Sequence, residues 1–311
     1  MSRRKRILIT GADGFIGSAL GKFISQRHFP YEVIGISRRR EAGTKIIRCN
    51  LSDPQKTFNT LAALKPDSIF HCAGGRGTDE QKIWQSNFET TRVLLESIRK
   101  IKNYRPRIVI MGSAAEYGPL PAGVKFATEK LLVQPNSWYG FVKYMQTSLG
   151  LMYFRKGLDI TVVRLFNILG EGVPASLVIG KFAQEVALIE KGKKSPCLMT
   201  ANLSGKRDFL DIEDVCAGLI MVARAGRCGE IYNLCSGRSY VIGDLLKKLT
   251  GLSCVKGIVI KQEKNFSSES YETIGSNRKV NRALHWKSQV TIEESLRNSL
   301  EYYRSKVTCG S

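Results

Sequence analysis

The first twenty residues place a glycine-rich turn between a short apolar run and an amphipathic one. Residues 10–17 read TGADGFIG, with the spacing G-x-x-G-x-x-G, after a predicted strand over 6–10 and before a predicted helix over 15–26. In this context Gly11 permits a tight turn, Gly14 lets a pyrophosphate approach the backbone, and Gly17 lets the helix pack closely on the sheet. The start of the helix offers unpaired N–H groups and a partial positive charge. The pattern therefore predicts a dinucleotide-binding site.

The rest of the first half alternates short apolar runs with longer amphipathic ones, as expected for parallel strands joined by helices. The second half is less regular, and its polar stretch 261–276 predicts a surface loop. Further strands are predicted at 32–36, 45–48, 68–72, 107–111, 160–165 and 229–234. Further helices are predicted at 54–65, 82–102, 138–155, 176–191, 211–225, 240–250 and 292–305. The fold class is thus α/β, with a doubly wound parallel sheet covered on both faces.

The charge balance raises a different class of partner. Lys plus Arg number 48 against 27 acids in 311 residues, a net charge of +21, which suggests nucleic acid or an anionic membrane. Apart from residues 3–6 and 38–40 the cations are dispersed, without the interleaved aromatics of a single-strand groove. No apolar run reaches the ~20 residues that span a bilayer. We therefore expect neither partner, and interpret the charge as a solubility feature or a steering field.

Cysteine and histidine usage indicates the compartment and excludes a metal. The 8 cysteines include no C-x-x-C pair, and the 3 histidines lie far apart in sequence. Several cysteines stand inside apolar runs, where a free thiol acts as a small hydrophobic group. We expect a reduced, cytoplasmic protein with no zinc site.

The end of the second predicted strand indicates the cofactor's phosphorylation state. Sites selective for NAD usually carry Asp or Glu there, which accepts a hydrogen bond from the ribose 2′-hydroxyl. This chain instead has Arg38, Arg39 and Arg40 after Ser37. Guanidinium groups bind phosphate bidentately, so the sequence favours NADP(H), with NAD(H) as the alternative. A solvated charge run is the competing interpretation.

A tyrosine and a lysine form the candidate catalytic pair. Tyr139 and Lys143 are spaced i, i+4 and so share one face of the predicted helix. A cation beside a phenol lowers the phenol's pKa, which would let Tyr139 exchange a proton with a carbonyl oxygen. Ser113 follows the predicted strand 107–111, at the edge where ligands of such sheets bind. An ordinary amphipathic helix is the alternative for the Y-x-x-x-K spacing alone.

Together these residues resemble the extended short-chain dehydrogenase/reductases that act on nucleotide sugars. The resemblance covers nearly the whole chain. It implies a Rossmann-type domain over 1–167 and 209–237, and a smaller, interlocked substrate domain over 168–208 and 238–305. It also implies a homodimer formed through helices 82–102 and 138–155. Further segments that resemble family motifs are residues 71–74 (H-x-A-A), 50–53 (D-x-x-D), 164–170 (R-x-x-N-x-x-G), 207–215 (R-D-F-x-x-x-x-D-V) and 233–237 (N-x-x-S-G).

The resemblance also assigns residues to ligands. The catalytic residues that it implies are Ser113, Tyr139 and Lys143. The cofactor-binding residues that it implies are Gly11, Asp13, Gly14, Phe15, Ile16, Gly17, Arg38, Arg39, Asn50, Leu51, Ala73, Gly74, Asn87, Tyr139 and Lys143. The substrate-binding residues that it implies are Arg76, Ser113, Asn167, Val178, Lys181 and Arg207. Asn50 stands where the family has an acid. Structural alternatives are that Asn87 ties its helix to a strand, and that Asp208 and Asp214 pair with Arg207 or cap a helix.

The positions after Ser113 distinguish among reactions. Dehydratases of the family carry two acids directly after the catalytic Ser or Thr, whereas this chain has Ala114 and Ala115, which exchange no proton. For Glu116, one residue later, we expect a helix-start or salt-bridge carboxylate. The second half most resembles members that reduce GDP-linked 4-keto-6-deoxymannose. It departs from them at two places. Those members usually have Glu at the position of Ala115. Near residues 266–267, which are Phe-Ser in this chain, they have an Arg-Pro pair that binds the diphosphate.

The sequence therefore predicts an NADPH-dependent reductase of a nucleotide-linked 4-keto-6-deoxyhexose, with a GDP-sugar favoured. A nucleotide-sugar 4-epimerase with tightly bound NAD is the alternative enzyme. A non-catalytic cofactor-binding or nucleic-acid-binding protein of the same fold is the alternative of another class.

Overall fold

The structure, a computed structural model, describes residues 4–38, 46–200, 203–262 and 272–308. Its strands are β1 (Lys5–Thr10), β2 (Tyr31–Ser37), β3 (Ile46–Arg48), β4 (Ser68–His71), β5 (Arg107–Ser113), β6 (Asp159–Leu165), β7 (Asn167–Leu169), β8 (Cys197–Thr200), β9 (Lys206–Arg207), β10 (Phe209–Asp211), β11 (Ile231–Leu234), β12 (Tyr240–Val241) and β13 (Val259–Gln262). Its helices are α1 (Phe15–Gln26), α2 (Pro54–Leu64), α3 (Glu80–Trp84), α4 (Thr90–Lys100), α5 (Trp138–Arg155), α6 (Val178–Glu190), α7 (Ile212–Ala225), α8 (Ile242–Gly251), α9 (Arg278–Leu284) and α10 (Ile292–Thr308).

A seven-stranded parallel sheet in the order β11-β6-β5-β4-β1-β2-β3 forms the centre of the molecule. Ile69 and Phe70, neighbours in β4, are both fully buried, so helices cover both faces. Helices α1 and α7 pack on one face and α2, α4 and α5 on the other. The strand order steps outward from β1 in both directions, which confirms the predicted doubly wound α/β fold.

A third hydrophobic core lies apart from the two that flank the sheet. Helices α6, α8 and α10 contribute Phe182, Leu246 and Leu300 to it. Two-stranded sheets adjoin this region, pairing β10 with β7, β12 with β9, and β13 with β8. A separate core agrees with a second folding unit in the latter part of the chain, although the boundaries predicted above remain a prediction.

Three predicted elements differ from those observed. The helix expected over 82–102 consists of α3, a π-helical turn over Gln85–Glu89, and α4. The helix expected from residue 240 begins two residues later, because residues 240–241 form β12. The expected surface loop over 261–276 begins inside β13, and its final part is buried where Gly275 pairs with Ala127. Within the described ranges, every helix is too short or too polar to cross a membrane.

Candidate active site

The glycine turn is shaped by two close backbone approaches. Gly11 has a φ of +65°, and a Cβ there would lie 2.8 Å from the backbone nitrogen of Ala73. A Cβ on Gly17 would lie 2.2 Å from the carbonyl oxygen of Gly11. Gly17 therefore clears the turn itself rather than the sheet, which refines the sequence interpretation. Both positions require glycine for the chain to turn this tightly between β1 and α1.

The start of α1 fits a phosphate group. Gly14 is its N-cap residue, no side chain caps its N–H groups, and its first turn carries no acid. Asp13 precedes the cap and is exposed. The partial positive charge of the helix end is therefore unopposed from within the helix. Arg38, exposed directly after β2, adds a cation at the same edge of the sheet. Arg39 lies outside the described residues.

The segment after β4 is fastened to the π-helical turn by Asn87. Its amide nitrogen donates to the carbonyl oxygens of Gly75 at 2.9 Å and Ile83 at 2.8 Å. A Cβ on Gly74 would lie 2.7 Å from the Asn87 side-chain oxygen. These contacts match the interpretation in which Asn87 ties its helix to the strand end. They hold Ala73 and Gly74 next to the glycine turn.

Asn50 and Leu51 lie at the other end of the candidate cofactor site, after β3. The Asn50 side-chain oxygen accepts from the Ser52 N–H at 3.3 Å, and Leu51 is buried. Asp53 caps α2 by accepting from the Lys56 N–H at 3.0 Å.

Lys143 is the buried centre of a hydrogen-bonded chain. Its ammonium donates to the Met111 carbonyl oxygen of β5 and to the side-chain oxygen of Gln146. The Gln146 amide donates to the Thr91 hydroxyl at 2.7 Å, and that hydroxyl donates to the Asn87 carbonyl oxygen at 2.5 Å. Burial lowers the pKa of Lys143 to about 8, against a smaller opposing effect of Glu116. The chain ties α5 to α4 and to β5.

The same chain fixes the protonation of His71. The Thr91 proton is committed to Asn87, so His71 must donate from Nε2 across its 2.9 Å contact with Thr91. Nδ1 then accepts from the Thr10 hydroxyl at 2.9 Å, and Thr10 accepts from the Ala73 N–H at 3.2 Å. Burial, helped by the Lys143 charge, lowers the pKa of His71 to about 3. His71 is therefore a neutral structural link.

Tyr139 meets Ser113 and Arg76 at the carboxyl edge of the sheet. The Tyr139 hydroxyl lies near enough to the Ser113 side chain for Ser113 to lower its pKa, and the Arg76 guanidinium lies 4.8 Å from the Tyr139 ring centroid. Burial raises the pKa of Tyr139, opposed chiefly by the Arg76 charge and next by Ser113. The expectation that Lys143 lowers this pKa is wrong for the structure, because the Lys143 ammonium is directed to Met111 and Gln146.

Ser113 is held in place by backbone contacts. It is the last residue of β5, and its hydroxyl accepts from the Ala115 N–H at 3.1 Å. Its own N–H donates to the Glu116 carboxylate at 2.8 Å, and that carboxylate also accepts from Arg164 Nε at 2.8 Å. Glu116 is thus a buried salt-bridge carboxylate at a helix start, as the sequence predicts.

The residues assigned to substrate fall in two further places. Asn167 donates from its side chain to the Asp208 carbonyl oxygen at 2.9 Å, and Arg207 lies in β9 opposite Tyr240 of β12. Val178 and Lys181 are exposed on the first turn of α6. Residues 266–267, the expected place of an Arg-Pro pair, lie outside the described residues.

The acidic residues of the R-D-F segment act differently from the alternatives considered above. Asp208 accepts from the N–H groups of Ser236, Gly237 and Gly275 at 2.9–3.1 Å. Burial raises its pKa to about 6. Asp214 accepts from the backbone of residues 289–290, and the cap of α7 is Asp211. Asp208 and Asp214 are therefore loop anchors, a role that only contacts between residues distant in sequence reveal.

Sequence reasoning missed Gln146, Thr91 and Thr10, the polar links of the buried chain. Lys143 and Gln146 stand at i and i+3 on α5, which is the one signal in the sequence. Thr91 and Thr10 meet His71 only through tertiary packing. In the described parts of the chain, no group of three or more His, Cys, Asp or Glu is arranged to hold a metal ion.

Three features together define a dinucleotide-dependent oxidoreductase. They are the doubly wound sheet, the glycine turn, and the connection of α5, which carries Tyr139 and Lys143, to β5, which ends at Ser113. The family described as "NAD dependent epimerase/dehydratase family" matches residues 7–235. The chain belongs to this family.

Two named proteins and one solved structure are similar to the chain over most of its length. The chain is 26% identical to GDP-6-deoxy-D-mannose reductase of Pseudomonas aeruginosa over 310 residues, covering 97% of this chain and 98% of that protein. It is 26% identical to GDP-6-deoxy-D-talose 4-dehydrogenase of Aggregatibacter actinomycetemcomitans over 264 residues, 84% of each. The solved structure of RMD from P. aeruginosa complexed with NADPH superposes with a TM-score of 0.87 at 27% identity, covering 97% of this chain and 98% of that one.

Proposed function

We propose that this protein uses NADPH to reduce the 4-keto group of a nucleotide-linked 4-keto-6-deoxyhexose, with a GDP-sugar favoured. The observation that carries the proposal is the Tyr139 side chain, which lies beside Ser113 and under the Arg76 cation at the carboxyl edge of the sheet. The likeness to a GDP-6-deoxy-D-mannose reductase and to an NADPH complex supports the sugar and the cofactor.

The cofactor would be held by the glycine turn and the edge residues around it. The uncapped N–H groups of α1 suit its diphosphate, and Arg38 suits a 2′-phosphate. Asn50 and Leu51 would border the adenine, and Ala73, Gly74 and Lys143 the nicotinamide end. When bound, NADPH supplies the hydride for the carbonyl carbon.

Tyr139 would donate its proton to the C4 oxygen, and Ser113 would orient that oxygen by a hydrogen bond. The two hydroxyls lie close together, so one substrate oxygen can contact both. The phenolate left behind is stabilised by the Arg76 guanidinium, the strongest favourable charge acting on Tyr139. The neutral His71 takes no part in proton transfer.

The sugar nucleotide would lie between the catalytic edge and the third core. Asn167, Arg207, Val178 and Lys181 come from β7, β9 and α6, all within the proposed substrate domain or at its border. Arg207 is the cation suited to the nucleotide or its diphosphate. This arrangement supports the proposed division into 1–167 with 209–237, and 168–208 with 238–305.

A homodimer and a cytoplasmic location complete the proposal. Helix α5 keeps Trp138, Phe141 and Met152 between 38% and 39% exposed, unusual for large apolar side chains on one helix. Burial against a second copy would remove them from water. Light scattering of the purified protein measures the oligomeric state.

The test is a panel of GDP-, dTDP-, UDP- and CDP-linked 4-keto-6-deoxy sugars, with NADPH oxidation as the readout. We expect the GDP-linked sugar to react fastest. Tyr139→Phe should lower turnover by roughly 10²–10⁴ while leaving NADPH binding nearly intact, since it removes only the transferred proton.

Full turnover by Tyr139→Phe would refute the assignment. Tightly held NAD in the freshly purified protein, identified by mass spectrometry, would favour the 4-epimerase instead. Salt-dependent DNA or RNA binding without any reductase activity would favour a non-catalytic binder.

A further inference from the structure

Glu116 is a fully buried carboxylate that faces the catalytic residues without belonging to them. One oxygen accepts from the Ser113 N–H at 2.8 Å and from the Thr147 hydroxyl of α5 at 3.0 Å. The other accepts from Arg164 Nε of β6 at 2.8 Å. Glu116 is 0% exposed and Arg164 3%. A single carboxylate therefore joins β5, α5 and β6 directly behind the catalytic serine.

We infer that Glu116 is a positioning residue: its carboxylate fixes the Ser113 backbone against α5 and β6, and places a buried negative charge near Tyr139 and Lys143. This inference rests on the proposed function for its catalytic meaning. The effect of the Glu116 charge on Tyr139 and Lys143 does not depend on whether the substrate is a keto sugar.

The charge acts on both residues in the same direction. A buried anion disfavours phenolate and favours ammonium, so Glu116 raises the pKa of Tyr139 and the pKa of Lys143. The other groups that act on Tyr139 are Arg76 and Ser113. Those that act on Lys143 are Cys72 and burial itself, with His71 close by. Glu116 thus keeps the proton donor protonated and its neighbouring cation charged.

The test compares Glu116→Gln with the same substitution in a glutamate–arginine pair far from the site. Glutamine keeps one side-chain oxygen for Ser113 and Thr147, removes the charge, and replaces the oxygen that accepts from Arg164 by an amide N–H₂. The control is Glu190→Gln in the α6–α10 region, which removes the carboxylate that lies 2.6 Å from Arg304, while Arg304 keeps its pair with Glu301. Both variants should lose thermal stability, and Glu116→Gln should lose more, because its ion pair is buried.

The readout is NMR of ¹³Cζ-tyrosine, with the Tyr139 signal assigned by Tyr139→Phe. In Glu116→Gln the Tyr139 titration should move to lower pH by about one unit, and the alkaline limb of kcat should move the same way. Glu190→Gln should leave both at their wild-type positions. A Tyr139 titration that does not move in Glu116→Gln would overturn the inference.

A second variant covers the case in which Glu116→Gln does not fold. Glu116→Leu with Arg164→Met replaces the buried pair by apolar side chains, a change that many folds tolerate. The same downward shift of the Tyr139 titration is expected, and its absence would overturn the inference. Because the titration needs no substrate, a wild-type protein inactive on the whole sugar panel would refute the proposed function alone.

Discussion

At the scale of single residues, two cations of the candidate site, Arg76 and Lys143, have different roles. Arg76 faces the Tyr139 ring, whereas Lys143 is buried and hydrogen-bonded to Met111 and Gln146. The i, i+4 spacing of Tyr139 and Lys143 places them on one face of α5, as predicted. Spacing alone gives no information on Arg76, which reaches Tyr139 from a loop after β4, or on Gln146, which draws the ammonium away. Such contacts depend on how elements pack, so sequence reasoning found the residues but not their partners.

The buried His71 should make the folded state sensitive to acid. Above pH 6.5 it is neutral in both states and contributes no pH dependence. As the pH falls from 6.5 towards 3, the unfolded chain binds a proton that the folded chain refuses. The free energy of unfolding should then fall by up to ~1.4 kcal/mol per pH unit.

Urea unfolding of the wild type and His71→Asn at pH 7 and pH 5 measures this contribution. The wild type should lose more stability between the two pH values than the variant. Asp208 and Asp211, whose pKa values burial raises to about 6, act in the opposite direction below pH 6. Both proteins contain them, so their effect cancels in the difference. Equal losses in the two proteins would contradict the neutral assignment of His71.

At the scale of elements, the sequence predicted the parts that carry a strong period. Helices α1 and α5 begin and end where expected, and all seven strands of the main sheet were located to within a few residues. Their signal is a long amphipathic run or a continuous apolar one. The strands β8, β9, β10 and β12 have two to four residues each and lie outside the regular alternation of strands and helices that marks the first half of the chain. Their pairing is decided by tertiary contacts, so they were missed.

Two glycines in α1 provide a matched test of the cofactor turn. Gly17→Ala would place a Cβ 2.2 Å from the Gly11 carbonyl oxygen, whereas the nearest atom to a Cβ on Gly21 is 3.9 Å away. We expect Gly17→Ala to weaken NADPH binding at least tenfold and to lower the melting temperature. Gly21→Ala should gain roughly 0.5–1 kcal/mol, the usual benefit of alanine within a helix. Calorimetric titration and thermal unfolding measure both effects, and equal NADPH affinity in the two variants would contradict the packing argument.

At the scale of the whole molecule, the net charge of +21 has only a small part in the site. Arg38, Arg76, Lys143 and Arg207 account for four cations at the proposed ligands. The remaining excess is spread over the surface, where it attracts anions from a distance. Both proposed ligands, NADPH and a nucleotide-diphosphate sugar, are anionic.

The steering effect predicts a dependence on ionic strength. Raising NaCl from about 20 to about 300 mM should lower kcat/KM several-fold, because the Debye length shrinks below the distances over which the surface acts. Turnover at saturation should change little. Potassium acetate at equal ionic strength should give the same result, whereas a difference between the salts would indicate specific ion binding instead.

The π-helical turn at Gln85–Glu89 has a consequence for anyone who edits this protein. It amounts to one extra residue within an otherwise continuous helix, and it sets Asn87 and Thr91 on the side that contacts Gly75 and His71. Deleting one residue inside Gln85–Glu89 would give a regular helix with the later side chains of α4 in nearly the same phase, because the wider turn absorbs the extra residue. Deleting one residue within α4 itself would turn every later side chain by about 100° and carry its apolar face away from the sheet. A shortened version of this helix therefore keeps its buried face only if the deletion falls inside the π-helical turn.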